Sequence, residues 1–391
     1  MAVQTGLQRL LADSATIKDR RWALLANQAS VTRNLETARL ALAAVAGPPI
    51  RLFAPEHGLE GVAQDMEAVA DSVDPLTGAT VHSLYGEDAG TLAPKAQSLE
   101  NLDAIVVDMP DIGSRYYTFA ASLDGMMAAC EMAGVEVVVL DRPNPLGGLR
   151  REGGMVQPGF ESFVSQLPTP IRHGLTLGEI ALLLHRERYP DLELTVVPCL
   201  GWKRSDLFDA TDLPWVSPSP NMPTLDTALL YPGLCLIEAT TLSEGRGTTR
   251  PFHLVGAPWV DAHHLVDSLR TLELPGVAFR ATSFRPEFQK HANRICAGCD
   301  LHITNREMLR PLELGLEIVK TIHDLYPNDF SWRAEPYEFV TEAPALDLLT
   351  GSSRARSIIE GGQELQCLFD EWHEEVKAFE NTLGNILLYH E

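Results

Sequence analysis

The chain's 391 residues are 45% hydrophobic and 21% charged, the balance of a globular protein large enough for two cores. Lys and Arg total 31 against 53 for Asp and Glu, and the net charge of −22 disfavours nucleic acid and anionic membranes as partners. Six scattered cysteines make no disulfide framework, the N-terminal segment has no basic stretch leading into an apolar run, and no apolar stretch reaches the roughly eighteen residues of a membrane span, so the expected location is the cytoplasm.

In chain order, strands are expected at Trp22 to Asn27, Ile50 to Ala54, Val81 to Tyr85, Ala104 to Met109 and Val135 to Asp141. Several run continuously apolar, as strands buried on both faces do. Leu35 to Ala46 and Thr118 to Ala133 carry apolar residues at helical spacing, with Gly134 placed to stop the second helix. This alternation predicts a doubly wound, mainly parallel α/β sheet. A helix from near Thr176 and a strand at Leu194 to Val197 continue it. From Trp215 to Gly256 the chain reads as loop, rich in Pro, Ser and Gly. A second, smaller α/β unit follows, with helices near Asp261 to Leu272 and Leu309 to Leu325 and strands near Val277 to Phe284 and Leu301 to Thr304. The expected division is residues 1–250 and 251–391.

Ligands of such sheets bind beyond the carboxyl ends of the strands, and the segments there carry chemistry. Pro55-Glu56-His57-Gly58 sets a carboxylate beside an imidazole, a pair suited to general acid or base work, unless Glu56 caps the next helix and His57 packs. Asp108, Asp111, Arg115, Tyr116 and Tyr117 fall within one turn and make a plausible sugar-binding edge. The bland alternative is an Asp108–Arg115 pair over packed tyrosines. Asn144 lies in a loop fixed by Pro143, Pro145 and a glycine pair. His173 precedes Thr176 and Glu179, which have the spacing of a capping box, so Glu179 reads as structural. Glu238, Glu244, Arg246 and Arg250 gather near the expected domain junction, and the arginines supply the cations an acidic ligand needs in so acidic a chain. Cys296-Ala-Gly-Cys299 lacks a second cysteine pair, and neither GxGxxG nor GxxxxGK[ST] occurs. No metal, dinucleotide or other cofactor is expected.

The order of motifs is more specific than any one of them. LLANQAS, FAPEHG, SLYG, VDMPDIGSRYYTF, DRPNPLGG, HGLTLGE, PSPNMP, YPG, SEGRGTT and GAPW together resemble the exo-β-N-acetylmuramidase family, glycoside hydrolase family 171, once a domain of unknown function. The resemblance implies a Rossmann-like domain with a smaller C-terminal domain closing the cleft. The implied activity releases a terminal, non-reducing β-linked N-acetylmuramic acid from peptidoglycan fragments, so the partner is a small saccharide. Glu56 then becomes the leading catalytic candidate, and His57, Asp111, Arg115, Tyr116, Asn144, His173, Asn221, Glu244 and Arg246 are implied to line the site. Two departures stand out: Glu60 replaces the usual Arg after PEHG, and Pro110 replaces a Gln.

Hydrolysis needs a proton for the leaving oxygen and stabilisation of an oxocarbenium-like centre. Glu56 is the expected acid. Asp111 or Glu244, or the substrate's own acetamido oxygen, fills the second role; Tyr116 or Tyr117 contacts the sugar, and Arg115, Arg246 or Arg250 receives the lactyl carboxylate. The rival reading is a non-catalytic binding protein for muropeptides, which has no need of Glu56.

Overall fold

Burial follows strand position in the first sheet, whose order is β3-β4-β2-β1-β5-β6-β7. The structure, a computed structural model, describes residues 2–390. At the centre, β1 (Trp22–Ala26), β5 (Ala104–Asp108) and β6 (Glu136–Leu140) are buried along their whole length, and β2 (Arg51–Ala54) nearly so. Towards the edges, β4 (Thr80–Ser83) and β7 (Leu194–Val197) are half-buried, and the two-residue β3 (Ser72–Val73) is exposed. All neighbours pair in parallel except β3 with β4. The mainly parallel α/β sheet expected from the apolar runs is therefore the one found.

The chain moves outward from β1 to β2 and β4, then returns to β5 on the opposite side of β1. The connections leaving β1 and β5 consequently run to opposite sides of the sheet, and the crevice beyond such a pair of strand ends is where open sheets of this kind hold ligands. Its helices are α1 (Gly6–Ala12), α2 (Ala38–Ala46), α3 (Ala96–Leu99), α4 (Phe119–Ala133) and α5 (Leu177–Glu187). Gly134 ends α4 in the left-handed region at φ 64°, its N–H reaching the carbonyls of Cys130 and Glu131, a conformation that costs a side-chain-bearing residue more than glycine. At the head of α5, the Thr176 hydroxyl and the Glu179 carboxylate satisfy each other's backbone N–H groups as a capping box.

The chain divides into two compact units. The first comprises residues up to Arg151, His173–Pro223 and the chain from Glu380; the second comprises Glu152–Arg172 and Thr224–Phe379. A boundary near residue 250 would fall inside the second unit. The reason lies in α6 (Leu225–Leu234), which occupies part of the stretch expected to be loop. Thr224 caps it by accepting from the Thr227 N–H. Pro232 sits in its last turns, which is what makes the segment read as non-helical. Gly233 lies against the backbone of Pro311 and Gly315, so two glycines let α6 and α8 (Pro311–Leu325) approach more closely than side chains would permit.

The second unit also contains an antiparallel sheet of order β8-β10-β9, formed by β8 (Leu254–Ala257), β9 (Val277–Phe284) and β10 (Cys296–Ile303). Helices α7 (Ala262–Thr271), α9 (Ala345–Thr350), α10 (Arg354–Glu360) and α11 (Gln366–Leu383) complete the set. The Cys296–Cys299 pair lies within β10, which starts five residues ahead of the expected strand. Both cysteines are free and buried, and burial pushes the Cys299 thiol up to about 12, which suits packing rather than reactivity.

A buried polar seam joins the far ends of the first unit's sequence. Arg204, 4% exposed, donates from Nη1 to Glu179 Oε1 at 2.6 Å, from Nε to the Gly148 carbonyl at 3.1 Å, and from Nη2 to the Gly174 carbonyl. The same Glu179 oxygen accepts from the Leu388 N–H at 2.8 Å. Next to it, Tyr389 donates its hydroxyl to Asp141 Oδ2 and accepts from the Cys199 N–H. Burial pushes the Asp141 carboxyl up to about 6, against the opposing effect of donors from Tyr389, Thr176 and Gly178.

Candidate active site

In the first unit, the carboxyl ends of β2 and β5 face one another across β1 and carry the residues with chemical potential. Chain reversal after β2 is made by two consecutive left-handed residues, His57 at φ 71° and Gly58 at φ 80°. This turn sets Glu56 at the strand end, 4% exposed. Its Oε2 accepts from the Thr118 hydroxyl at 2.7 Å, and Oε1 accepts from the Met66 N–H at 3.3 Å. His57 Nδ1 lies 2.9 Å from the Ala63 carbonyl, so that nitrogen carries the proton and Nε2 presents a lone pair when the ring is neutral.

Thr118 makes a contact with Glu56 that the sequence hides. A threonine just before a helix reads as an N-cap, yet Thr118 has helical φ −65° and ψ −10° and makes no capping bond to α4. Its hydroxyl serves Glu56 instead. A hydroxyl can donate to a carboxylate or accept from a carboxylic acid, so the contact survives both states of Glu56, whereas the Met66 N–H can only donate. The proton of the acid form is thereby assigned to Oε2. Thr118→Val is expected to lower kcat about tenfold with little change in thermal stability, since no cap is lost, and Thr118→Ser to restore most of it; steady-state kinetics and a melting curve check both.

The loop after β5 holds Asp111, which is buried. Oδ2 accepts from the Gly113 N–H at 2.6 Å and lies 3.2 Å from His173 Nε2. His173 is fully buried, and its Nδ1 accepts from the Leu175 N–H at 3.1 Å, which places the ring proton on Nε2, facing the carboxylate. Asp111 Oδ1 is buried with no hydrogen-bond partner among the described residues. Beside it an apolar groove opens at the strand ends, walled by Pro110, Pro143, Pro145 and Trp215.

Arg115, Tyr116 and Tyr117, on the same loop, are all buried. The Tyr117 ring packs 4.8 Å from Phe119. Asp108 does not pair with Arg115: its carboxylate takes a two-pronged bond from Arg142, at 2.6 and 2.8 Å. Asn144 donates to the Leu175 carbonyl and accepts from the Leu146 N–H, and it packs where a side chain on Gly113 would have to go. It therefore holds the His173 and Asp111 segments together. Asn221 donates to Gln64 Oε1 at 3.0 Å, tying its proline-rich loop to the turn after His57. Glu60, at the position where an Arg is usual, pairs with Arg39 at 2.6 Å, and Arg39 in turn faces the buried Asp74.

Glu244, Arg246 and Arg250 belong to the second unit. Lys290 Nζ lies 2.6 Å from Glu244 Oε2, and Arg246 Nε lies 3.6 Å from Oε1. Arg246 donates to Glu238 Oε1 at 2.7 Å and stacks over Phe252. Burial would raise the Glu238 carboxyl, but Arg246 and the Tyr337 hydroxyl outweigh it and hold the group below the usual range. Arg250 donates to Asp300 Oδ1 at 2.8 Å. Glu244 thus faces two cations, Lys290 and Arg246, although its Oε2, like Asp111 Oδ1, is buried with no hydrogen-bond partner among the described residues.

Two family models cover almost the whole chain: "Exo-beta-N-acetylmuramidase NamZ, N-terminal" matches residues 22–226, and the corresponding C-terminal model matches residues 229–389. The peptidoglycan β-N-acetylmuramidase NamZ of Bacillus subtilis is 41% identical over 99% of this chain and 91% of its own length. Two crystal structures of DUF1343 family proteins from Bacteroides fragilis are similar throughout. One has a TM-score of 0.89 at 31% identity, with 99% of each chain covered; the other has 0.78 at 27%, with 100% of each covered.

Proposed function

The chain belongs to the exo-β-N-acetylmuramidase NamZ family, and on that premise we propose that this glycosidase releases terminal, non-reducing β-linked N-acetylmuramic acid from peptidoglycan fragments, with Glu56 as proton donor. The observation that carries the assignment of Glu56 is its place: a buried carboxylate at a strand end, with one oxygen held by a fixed amide and the other by a hydroxyl that tolerates both protonation states. In the reaction, Oε2 gives its proton to the glycosidic oxygen as the bond to the anomeric carbon breaks. A water adds to that carbon and loses its proton to a base.

For that second role Asp111 is better placed than Glu244. Asp111 has an oxygen with no donor among the described residues, and His173 Nε2 lies 3.2 Å from its other oxygen. Glu244 is engaged by Lys290 and Arg246. The cysteines are free and five of the six are buried, and no helix among the described residues is long and apolar enough to cross a membrane. These features suit action on wall fragments in a reducing compartment.

The test is release of aglycone from an aryl β-N-acetylmuraminide beside the matching N-acetylglucosaminide. The expected result is cleavage of the first alone, because only it carries the lactyl carboxylate. Equal cleavage of both, or of neither, would overturn the assignment.

A further inference from the structure

The groove that Asp111 borders is small, apolar and fixed in shape. Its volume is about 40 Å³, where a single water needs roughly 10–15 Å³, so it has room for a small substituent and not for a sugar ring. Val31, Ile112, Pro143, Leu213, Trp215 and Val216 form its wall. Trp215 donates from Nε1 to the Met222 carbonyl at 3.2 Å and packs edge-on against Phe208, with ring centres 5.0 Å apart. The residues that follow are pinned to the end of β1: Asn27 Nδ2 donates to the Pro218 carbonyl at 3.0 Å, and Gln28 Nε2 donates to the Ser217 carbonyl at 2.7 Å. A preformed apolar recess of this kind discriminates its occupants by length.

Asp111 and Arg142 are the charged side chains on its border. Arg142 commits Nε and Nη2 to the Asp108 carboxylate, and Nη2 also to the Val31 carbonyl, so the two-pronged face that would receive another carboxylate is taken. Asp111 as a carboxylate repels an anion, and burying one against apolar walls is costly. The lactyl carboxylate of a muramyl residue is thereby disfavoured here. The acetamido group is neutral, ends in a methyl, and stands on C2, next to the anomeric carbon. With Asp111 serving the water that adds to that carbon, an occupant of the space beside Asp111 is a substituent close to it. Resting on the muramidase reading and on Asp111 as its base, we propose that the groove is the subsite for the methyl of the N-acyl group, and that Val216 beside the fixed Trp215 ring sets the acyl length accepted. Acetyl fills the recess, propionyl is one carbon too long, and formyl leaves it empty.

Three aryl β-muraminides that differ only in the N-acyl group, formyl, acetyl or propionyl, test this in wild type, Val216→Ala and Val216→Phe. Val216 is a half-buried wall residue, and each reading is a ratio of kcat/KM values within one protein, so any loss of folded material cancels. In wild type, acetyl is expected to exceed propionyl by about tenfold, the lower end of the range for one methylene in an apolar pocket. Val216→Ala makes room for the extra carbon and should bring the two within about threefold of each other. Val216→Phe fills the recess and should lower acetyl relative to formyl by about tenfold. Ratios that stay at their wild-type values in both variants overturn the subsite, as does a wild type that cleaves propionyl and acetyl equally well. A wild type that cleaves none of the three instead sinks the muramidase reading itself.

Discussion

Glu56→Gln is expected to lower kcat/KM on a muramyl disaccharide by about a thousandfold, and on an aryl muraminide with a good leaving group by only about tenfold. The asymmetry follows from the role. A sugar alkoxide needs a proton as it departs, whereas a stabilised phenolate does not, and general acid catalysis contributes about 10² to 10⁴ in rate where it is needed. A nucleophile or base would lose both substrates equally, so the pair of measurements separates the roles. Folding should be unaffected, because glutamine preserves both local contacts: its carbonyl accepts from the Met66 N–H and its amide donates to the Thr118 hydroxyl, the partners Glu56 has now. A melting temperature equal to that of wild type makes the kinetic loss interpretable.

Arg204→Met is expected to destabilise the first unit by about 3–5 kcal/mol, the range for removing one partner of a buried ion pair. The cause is not the lost attraction alone. Glu179 is fully buried, and without Arg204 Nη1 at 2.6 Å its charge keeps hydrogen bonds from the N–H groups of Thr176 and Leu388 but loses its direct ion pair. The Gly148 and Gly174 carbonyls also lose a donor. Urea denaturation should show an earlier midpoint, and the double variant Arg204→Met/Glu179→Gln should recover part of the loss because the stranded charge is gone. A midpoint within experimental error of wild type for the single variant would show that the seam contributes little.

Continuous apolar runs and a period of 3.6 made much of the first unit legible, since central parallel strands are apolar on both faces and Gly134 and Thr176 mark helix ends in ways that depend on their own residue type. What stayed hidden depends on partners distant in sequence. α6 was obscured because it falls in a stretch whose Pro, Ser and Gly content reads as loop; its close crossing with α8 at Gly233 and Gly315 is encoded by no local pattern. Residues 152–172 belong to the second unit though they lie inside the first unit's sequence, which length and composition cannot reveal. At the candidate site, PEHG identified Glu56 by motif, but Thr118 was masked by its resemblance to a cap. The arginines were recognisable as cations, not as cations already facing Glu238 and Asp300.

The seam around Arg204 also sets an order of events during synthesis. Residues Leu388 and Tyr389 complete contacts to Glu179, Cys199 and Asp141 in the unit that the ribosome makes first. The full set of contacts in that unit is available only after nearly the whole second unit has been translated. Folding from the N-terminus forward, the usual habit of multidomain chains, therefore leaves Asp141 and Glu179 without these partners until residues 388 and 389 have been made.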